Sequence, residues 1–267
     1  MSFNLRVSTF IDGLNHWTFR RELLLSMIQQ FNPDLLGTQE GLASQLDWLR
    51  ERMPQYQFVG AGRNDGKRKG EMCGIFFRSD KYELIDEGHF WLSKTPHKPG
   101  SRSWGSAFPR MATWVKLRPR NGGQTYVFLN THFDNIGSRA RLESAYLVRD
   151  RLASIAGGMP VVITGDFNTD ENTAPYTALL GARELGLRFV DTFRAANPQP
   201  QQGEGTRHGF RGSRRGDRID WILTSTAFHT VWAEIDRTRR GVRYPSDHFP
   251  VTAIVRPLAP PAIAHIE

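Results

Sequence analysis

An α+β domain, built on an antiparallel or mixed two-sheet core with helices packed outside, is what this sequence predicts. Three observations carry the prediction. Short apolar runs recur at short intervals between turn-rich segments. Only two stretches space their apolar residues as a helix does. Few full crossover helices separate the candidate strands, which argues against an all-parallel sheet.

Taken in order, residues 5–10 read as the first strand. Residues 18–31 read as a helix with Leu23, Leu24, Met27, Ile28 and Phe31 on one side, stopped by Asn32-Pro33. Strands are expected at 35–38, 73–77, 111–117, 126–130, 161–164, 218–223 and 251–255, with shorter alternating pieces between them. The second helix is expected at 138–155. There is no repeat period and no low-complexity tract. A single domain over 1–256 and a Pro-rich tail over 257–267 are the simplest organisation.

With 267 residues, 39% of them hydrophobic, the chain has ample material for a large core. A formal net charge of +8 draws in an anionic partner, whether nucleic acid, a phosphorylated small molecule or an acidic lipid surface. Cys73 is the only cysteine, which excludes an internal disulfide framework and a cysteine-ligated zinc site. No targeting signal and no uninterrupted apolar run of membrane-spanning length are visible, so a soluble, cytoplasmic, monomeric protein is expected.

The chemistry collects where apolar strands run into acidic, amide or imidazole residues. Leu35-Leu36-Gly37-Thr38 ends in Gln39-Glu40, Val127-Phe128-Leu129 in Asn130-Thr131-His132, and Val161-Val162-Ile163-Thr164 in Gly165-Asp166-Phe167-Asn168. The last strand is preceded by Ser246-Asp247-His248. Strand ends on one rim are where distant side chains converge on a ligand. Oxygen donors without thiolates suit magnesium, manganese or calcium better than structural zinc. Each piece alone also fits an ordinary turn or a solvated acid; their co-occurrence in order is what points to a site.

Those blocks, together with Arg218-Ile219-Asp220-Trp221 and the continuation Phe249-Pro250, resemble the signature blocks of the endonuclease/exonuclease/phosphatase superfamily over nearly the whole chain. Further stretches, such as Pro109-Arg110-Met111-Ala112-Thr113-Trp114, are similar to a bacterial branch near the nocturnin-like and deadenylase-like phosphatases. The resemblance implies a four-layered α/β/β/α sandwich, two packed mixed sheets with outer helices. It implies hydrolysis of a phosphodiester or phosphomonoester of a nucleic acid, nucleotide or other phosphorylated compound, with Mg2+ or Mn2+. By the same resemblance Glu40 and Asp247 hold the metal, Asp166 orients or deprotonates water, and Asn168 holds a phosphate oxygen. His248 contacts the phosphate with Asp220 fixing its tautomer, and His132 acts near the leaving group.

Family members usually carry Asn after the first strand, in a Thr-Phe-Asn or Thr-Tyr-Asn block. Aligned on Thr9-Phe10, this chain has Ile11 there, so Asp12 or Asn15 is expected to swing into the site. A non-catalytic, phosphate-binding descendant of the fold is the alternative that such a loss would favour. The glycine-rich loop 205–218, with Arg207, reads equally as a substrate clamp or as a solvated surface loop, and the basic turn 63–69 carries the same ambiguity. Arg110 is expected at the substrate, and Trp104, set among Ser, Gly and Pro, is the aromatic expected to be exposed for base stacking.

Overall fold

The computed structural model describes residues 1–181 and 187–258. Strands β1 (Ser2–Asn4), β2 (Leu35–Gly41), β3 (Tyr56–Val59) and β4 (Met72–Arg78) share one sheet with the late strands β11 (Phe228–Ile235) and β12 (Val251–Pro257), in the order β11-β12-β1-β2-β4-β3. The second sheet is continuous in the chain: β5 (Tyr82–Trp91), β6 (Met111–Pro119), β7 (Tyr126–His132), β8 (Val161–Asp166), β9 (Phe189–Asp191) and β10 (Asp220–Ser225), in the order β5-β6-β7-β8-β10-β9. Both sheets are mixed, with β1 parallel to β2 and β7 parallel to β8.

Central strands such as β7 and β8 are buried on both faces, which is why their sequences run apolar without alternation. Val127 and Leu129 pack in one cluster with Ala145, Val148 and Leu152 of helix α3 (Ser138–Ala156). Between them Phe128 joins Ile75, Phe77, Val162 and Ile222 in the layer between the sheets. Leu36 and Phe76 pack outward with Leu24 and Ile28 of α1 (Trp17–Phe31) and Leu46 and Leu49 of α2 (Ala43–Arg52). Helix, sheet, sheet and helix thus form four layers. The inter-sheet layer is tight at Gly37, where a Cβ would stand 2.0 Å from Thr164 Oγ1. A polar pin crosses there: Gln39 Nε2 donates to Asn130 Oδ1 at 2.6 Å, and Asn130 Nδ2 donates to the carbonyls of Thr38 and Gly74.

Two expectations fail locally. Residues 5–10 are not a strand: β1 ends at Asn4, Arg6 adopts a left-handed φ of 57°, and a 3-10 helix follows over Phe10–Asn15. The strand expected from 218 starts at Asp220. Pro257 closes β12, and 259–267 of the expected tail lie outside the described residues. No helix among the described residues is long and apolar enough to cross a membrane.

Candidate functional site

Because β1 and β2 run parallel, Asn4 and Glu40 come out on one rim. The parallel pair β7 and β8 delivers His132 and Asp166 to the matching rim of the other sheet, and their Cα positions are in register. β10 runs antiparallel to β8, so its first residue, Asp220, lies opposite Asp166. The segment entering β12, antiparallel to β1, sets Asp247 and His248 beside them. Together these side chains open into a cleft of about 310 Å³ lined by Glu40, His132, Asp166, Asn168, Asp247 and His248.

Asn4 is the organising amide. Its Nδ2 donates to Glu40 Oε1 at 3.0 Å and to Asp166 Oδ2 at 2.9 Å, while Glu40 Oε2 accepts from the Val7 backbone at 3.0 Å. This corrects the assignment of Ile11 to the family's asparagine. Ile11 is 92% exposed. Asp12 is tied to Arg6 at 2.8 and 3.0 Å, and Asn15 offers only its backbone carbonyl, to Arg20. Neither lines the cleft. The signal was available in Ser2-Phe3-Asn4, a hydroxyl, aromatic, Asn triplet that an alignment on Thr9-Phe10 passes over.

Glu40 and Asn168 adopt left-handed φ values of 62° and 50°, conformations that non-glycine residues hold only when their surroundings over-determine them. For Asn168 the determinants are plain. Its backbone donates to Asp166 Oδ1 at 3.0 Å, and its amide donates to His132 Nε2 at 2.9 Å and to the Phe133 carbonyl at 3.1 Å. The carbonyl requires the NH2 end, which fixes the amide orientation. His132 Nε2 is therefore the acceptor, and the imidazole is the neutral form protonated on Nδ1.

His248 has the opposite character. Its Nδ1 lies 2.9 Å from Asp220 Oδ2, and its Nε2 lies 3.9 Å from Asp166 Oδ2. Burial alone would lower its pKa, but the charges of Asp220 and Asp166 and the Asp220 hydrogen bond outweigh it and push it up to about 10. Burial, with the Arg110 and Arg63 charges, holds His132 well below 6.5. One imidazole in the cleft is thus charged and one is neutral. Burial and the Asp220 charge push Asp166 up to about 7, while burial raises Asp247. Burial would also raise Glu40, but the His248 charge and the Val7 and Asn4 hydrogen bonds lower it.

The donor chemistry fits a hard cation. Ligand atoms of Glu40, His132 and Asp166 lie within 4.8 Å of one another, as do those of Asp166, Asp220 and His248. Asp247 belongs to neither group but lines the same cleft, 4.0 Å from Arg6. Buried negative charge of this density calls for a compensating positive charge.

Of the expected substrate contacts, Arg110 is buried in the cleft wall, and exposed Arg207 lines the cleft with its backbone bridged to His248. Trp104 is half-buried and absent from the lining; Phe108, 45% exposed, stands there instead. Arg6, Arg63, Glu71 and Asn135 also line the cleft. They belong to no strand-end block, so position along the chain gave no sign of them.

A rim of convergent carboxylates and imidazoles across two stacked mixed sheets defines the class: a four-layered sandwich with a cation-ready site between strand ends. The sequence pattern of the Endonuclease/Exonuclease/phosphatase family matches residues 1–248, and the chain belongs to that family. It is similar to an endonuclease/exonuclease/phosphatase from Bacteroides vulgatus, at 32% identity and a TM-score of 0.89, covering 96% of this chain and 97% of that one. A mannosyl-6-phosphatase from Bacteroides thetaiotaomicron is 34% identical with a TM-score of 0.87, covering 96% and 98%. The human Nocturnin catalytic domain, at 19% identity and a TM-score of 0.74 over 96% and 91%, shares the fold. Among curated sequences, the Ccr4 exoribonuclease subunit of Mycosarcoma maydis is 22% identical over 61% of this chain. The chain spans from 31% to 63% of the length of the first three curated relatives it matches.

Proposed function

We propose that the chain hydrolyses phosphoesters in this cleft with a divalent cation, magnesium or manganese, held by Glu40 and Asp247. The observation that carries the proposal is Asn4 joining Glu40 to Asp166 while Asp220 holds His248, so that metal-ligand, base and cationic groups face one space. When bound, the cation supplies charge neutralisation at phosphoryl oxygens and at the leaving oxygen. Asp166, held by Asn4, orients the attacking water and accepts its proton. The His248 imidazolium, fixed by Asp220, stabilises negative charge on the phosphoryl oxygens as it develops. Asn168 and neutral His132 line the opposite side. For Asn168 to hold a phosphate oxygen by its amide, it gives up the bond to His132.

Two of the named relatives divide on substrate. The mannosyl-6-phosphatase supports a phosphomonoester and covers nearly the whole of both chains; the exoribonuclease subunit supports a phosphodiester over a shorter span. The non-catalytic alternative loses its motive, because Asn4 occupies the place thought empty. Hydrolysis of p-nitrophenyl phosphate and bis-p-nitrophenyl phosphate, with magnesium or manganese against EDTA, is the test. Activity that chelation removes and metal restores is expected. Full activity in chelator refutes the metal role, and phosphate binding without turnover of either ester restores the binding-module alternative.

A further inference from the structure

The cleft has a wall that hydrolysis itself does not use. It lies on the His132 side and is built by Arg63, Glu71, Phe108, Arg110 and Asn135. A narrow recess lined by Glu40, Arg63, Glu71, Arg110 and His132 joins it to the centre. Arg63 and Glu71 form a two-pronged pair, with Nη1 to Oε2 and Nη2 to Oε1 both at 2.7 Å. Arg110 Nη2 donates to Asn135 Oδ1 at 3.1 Å. The Phe108 ring covers both guanidinium groups, at 5.2 Å from Arg63 and 5.8 Å from Arg110. Asp134 sets the segment carrying it, accepting from Ala107 N at 3.1 Å and Ser106 Oγ at 3.2 Å.

The chemistry of this wall selects against a second phosphate. The Arg63 charge is neutralised within its pair, and Glu71 presents a carboxylate that repels an anion. Arg110, 5% exposed, keeps Nε and Nη1 without a hydrogen-bond partner, a costly condition in a buried guanidinium. Acceptors on Glu71 and Asn135, spare donors on Arg110 and an exposed apolar ring suit a group that both donates and accepts hydrogen bonds and has an apolar face. A polyhydroxylated ring has those properties; a nucleobase edge or a second phosphate does not match them all. The cleft volume of about 310 Å³ sits at the small end of ligand pockets, which run from ~300 to 1,000 Å³.

Granting the phosphoester hydrolysis proposed above, we infer that the Arg63, Glu71, Phe108, Arg110 and Asn135 wall is a leaving-group subsite for a sugar ring, so that the substrate is a sugar phosphomonoester. Hydroxyls donate to Glu71 and accept from Arg110, while the C–H face of the ring lies on Phe108. The phosphate at Asp166 and His248 then projects from the wall with its ester oxygen toward His132.

The test compares kcat/KM for mannose 6-phosphate and glucose 6-phosphate with that for p-nitrophenyl phosphate, in the wild type, Glu71→Gln and Phe108→Ala. Each substitution is expected to lower the ratio of sugar phosphate to p-nitrophenyl phosphate about tenfold or more, the size of a lost hydrogen bond to a charged group. Phe108 is exposed enough that its loss leaves the core intact. A ratio that does not move, or a wild type that cleaves oligonucleotides faster than either hexose phosphate, overturns the subsite. If no ester is turned over with either metal, the hydrolysis proposal has failed by itself. Calorimetric titration with mannose 6-phosphate then decides the wall: about tenfold weaker binding by Phe108→Ala supports it, and equal affinity refutes it.

Discussion

The Asn4 amide donates to Asp166 Oδ2 at 2.9 Å across 162 residues of sequence, and so joins the rim of one sheet to the rim of the other. Its second contact, to Glu40 at 3.0 Å, makes one side chain the spacer between two carboxylates that would otherwise repel. Asn4→Ala is therefore expected to lower kcat by about 10² or more, the usual cost of removing one preorganised donor. Ile11→Asn, on a side chain facing solvent, is expected to leave turnover within about twofold. Steady-state kinetics on p-nitrophenyl phosphate check both, and a gain from Ile11→Asn would return the asparagine's role to that turn.

Asp220 and His248 form the second fixed relationship, at 2.9 Å with both side chains buried. The carboxylate holds the tautomer that leaves Nε2 toward Asp166, and it supports the imidazolium. Asp220→Asn keeps the shape and removes the charge, and a fall in kcat of ~10² to 10⁴ is expected. An NMR titration of the His248 ring should show it losing its proton at lower pH in the variant than in the wild type. An unshifted ring signal would mean that Asp220 does not support the charge.

How much of this was legible in the sequence varies with the kind of signal. Helices α1 and α3 were legible because their apolar spacing is strong and their ends are marked by Asn32-Pro33 and Gly157. β7 and β8 were legible as apolar runs, but β5 and β11 were not, since exposed Asp86, Glu87 and Trp232 interrupt their pattern. Helix α2 hides behind its charged outer face. Within the site, Glu40, His132, Asp166, Asp220 and His248 were legible because each ends or begins a strand. Asn4 was missed because a three-residue strand carries no periodicity and residues 5–10 imitate one. Arg63, Glu71 and Asn135 come from turns that only the tertiary fold brings together.

Arg218 is 2% exposed and places Nη2 2.7 Å from Glu171 Oε2 and 2.6 Å from Asp191 Oδ2. Glu171 follows the Asn168 turn and Arg218 precedes Asp220 by two residues, so the clamp braces two pieces of the rim at once. Removing one member of a buried ion cluster leaves its partners uncompensated. Arg218→Met is expected to cost about 3–5 kcal/mol, toward the lower end because Arg194 still pairs with Glu171 at 2.7 Å. Urea unfolding measures it, and a loss under about 1 kcal/mol would show the cluster to be dispensable.

Acid should destabilise the fold through its buried histidines. Burial pushes His89 down to about 4, and burial with the nearby His248 charge does the same to His208. In the unfolded chain both titrate near 6.5. Above that pH both states are neutral and neither ring contributes a slope. Between about 6.5 and 4 the unfolded state binds protons that the native state refuses, so stability falls as pH falls, at up to about 1.4 kcal/mol per pH unit for each ring. Asp166, raised to about 7, acts in the opposite direction over the same window, because the native state holds its proton more tightly than the unfolded state does. The net wild-type slope therefore mixes both signs, and a difference between variants separates them. His89 lies on β5, bonded to Thr113 Oγ1 at 3.1 Å, and takes no part in the cleft. His89→Gln keeps a hydrogen-bonding group that does not titrate. The urea midpoint of the variant should fall less steeply than that of the wild type between pH 6.5 and pH 4. Parallel slopes would show that His89 takes up its proton in the folded protein, and that burial does not hold it neutral.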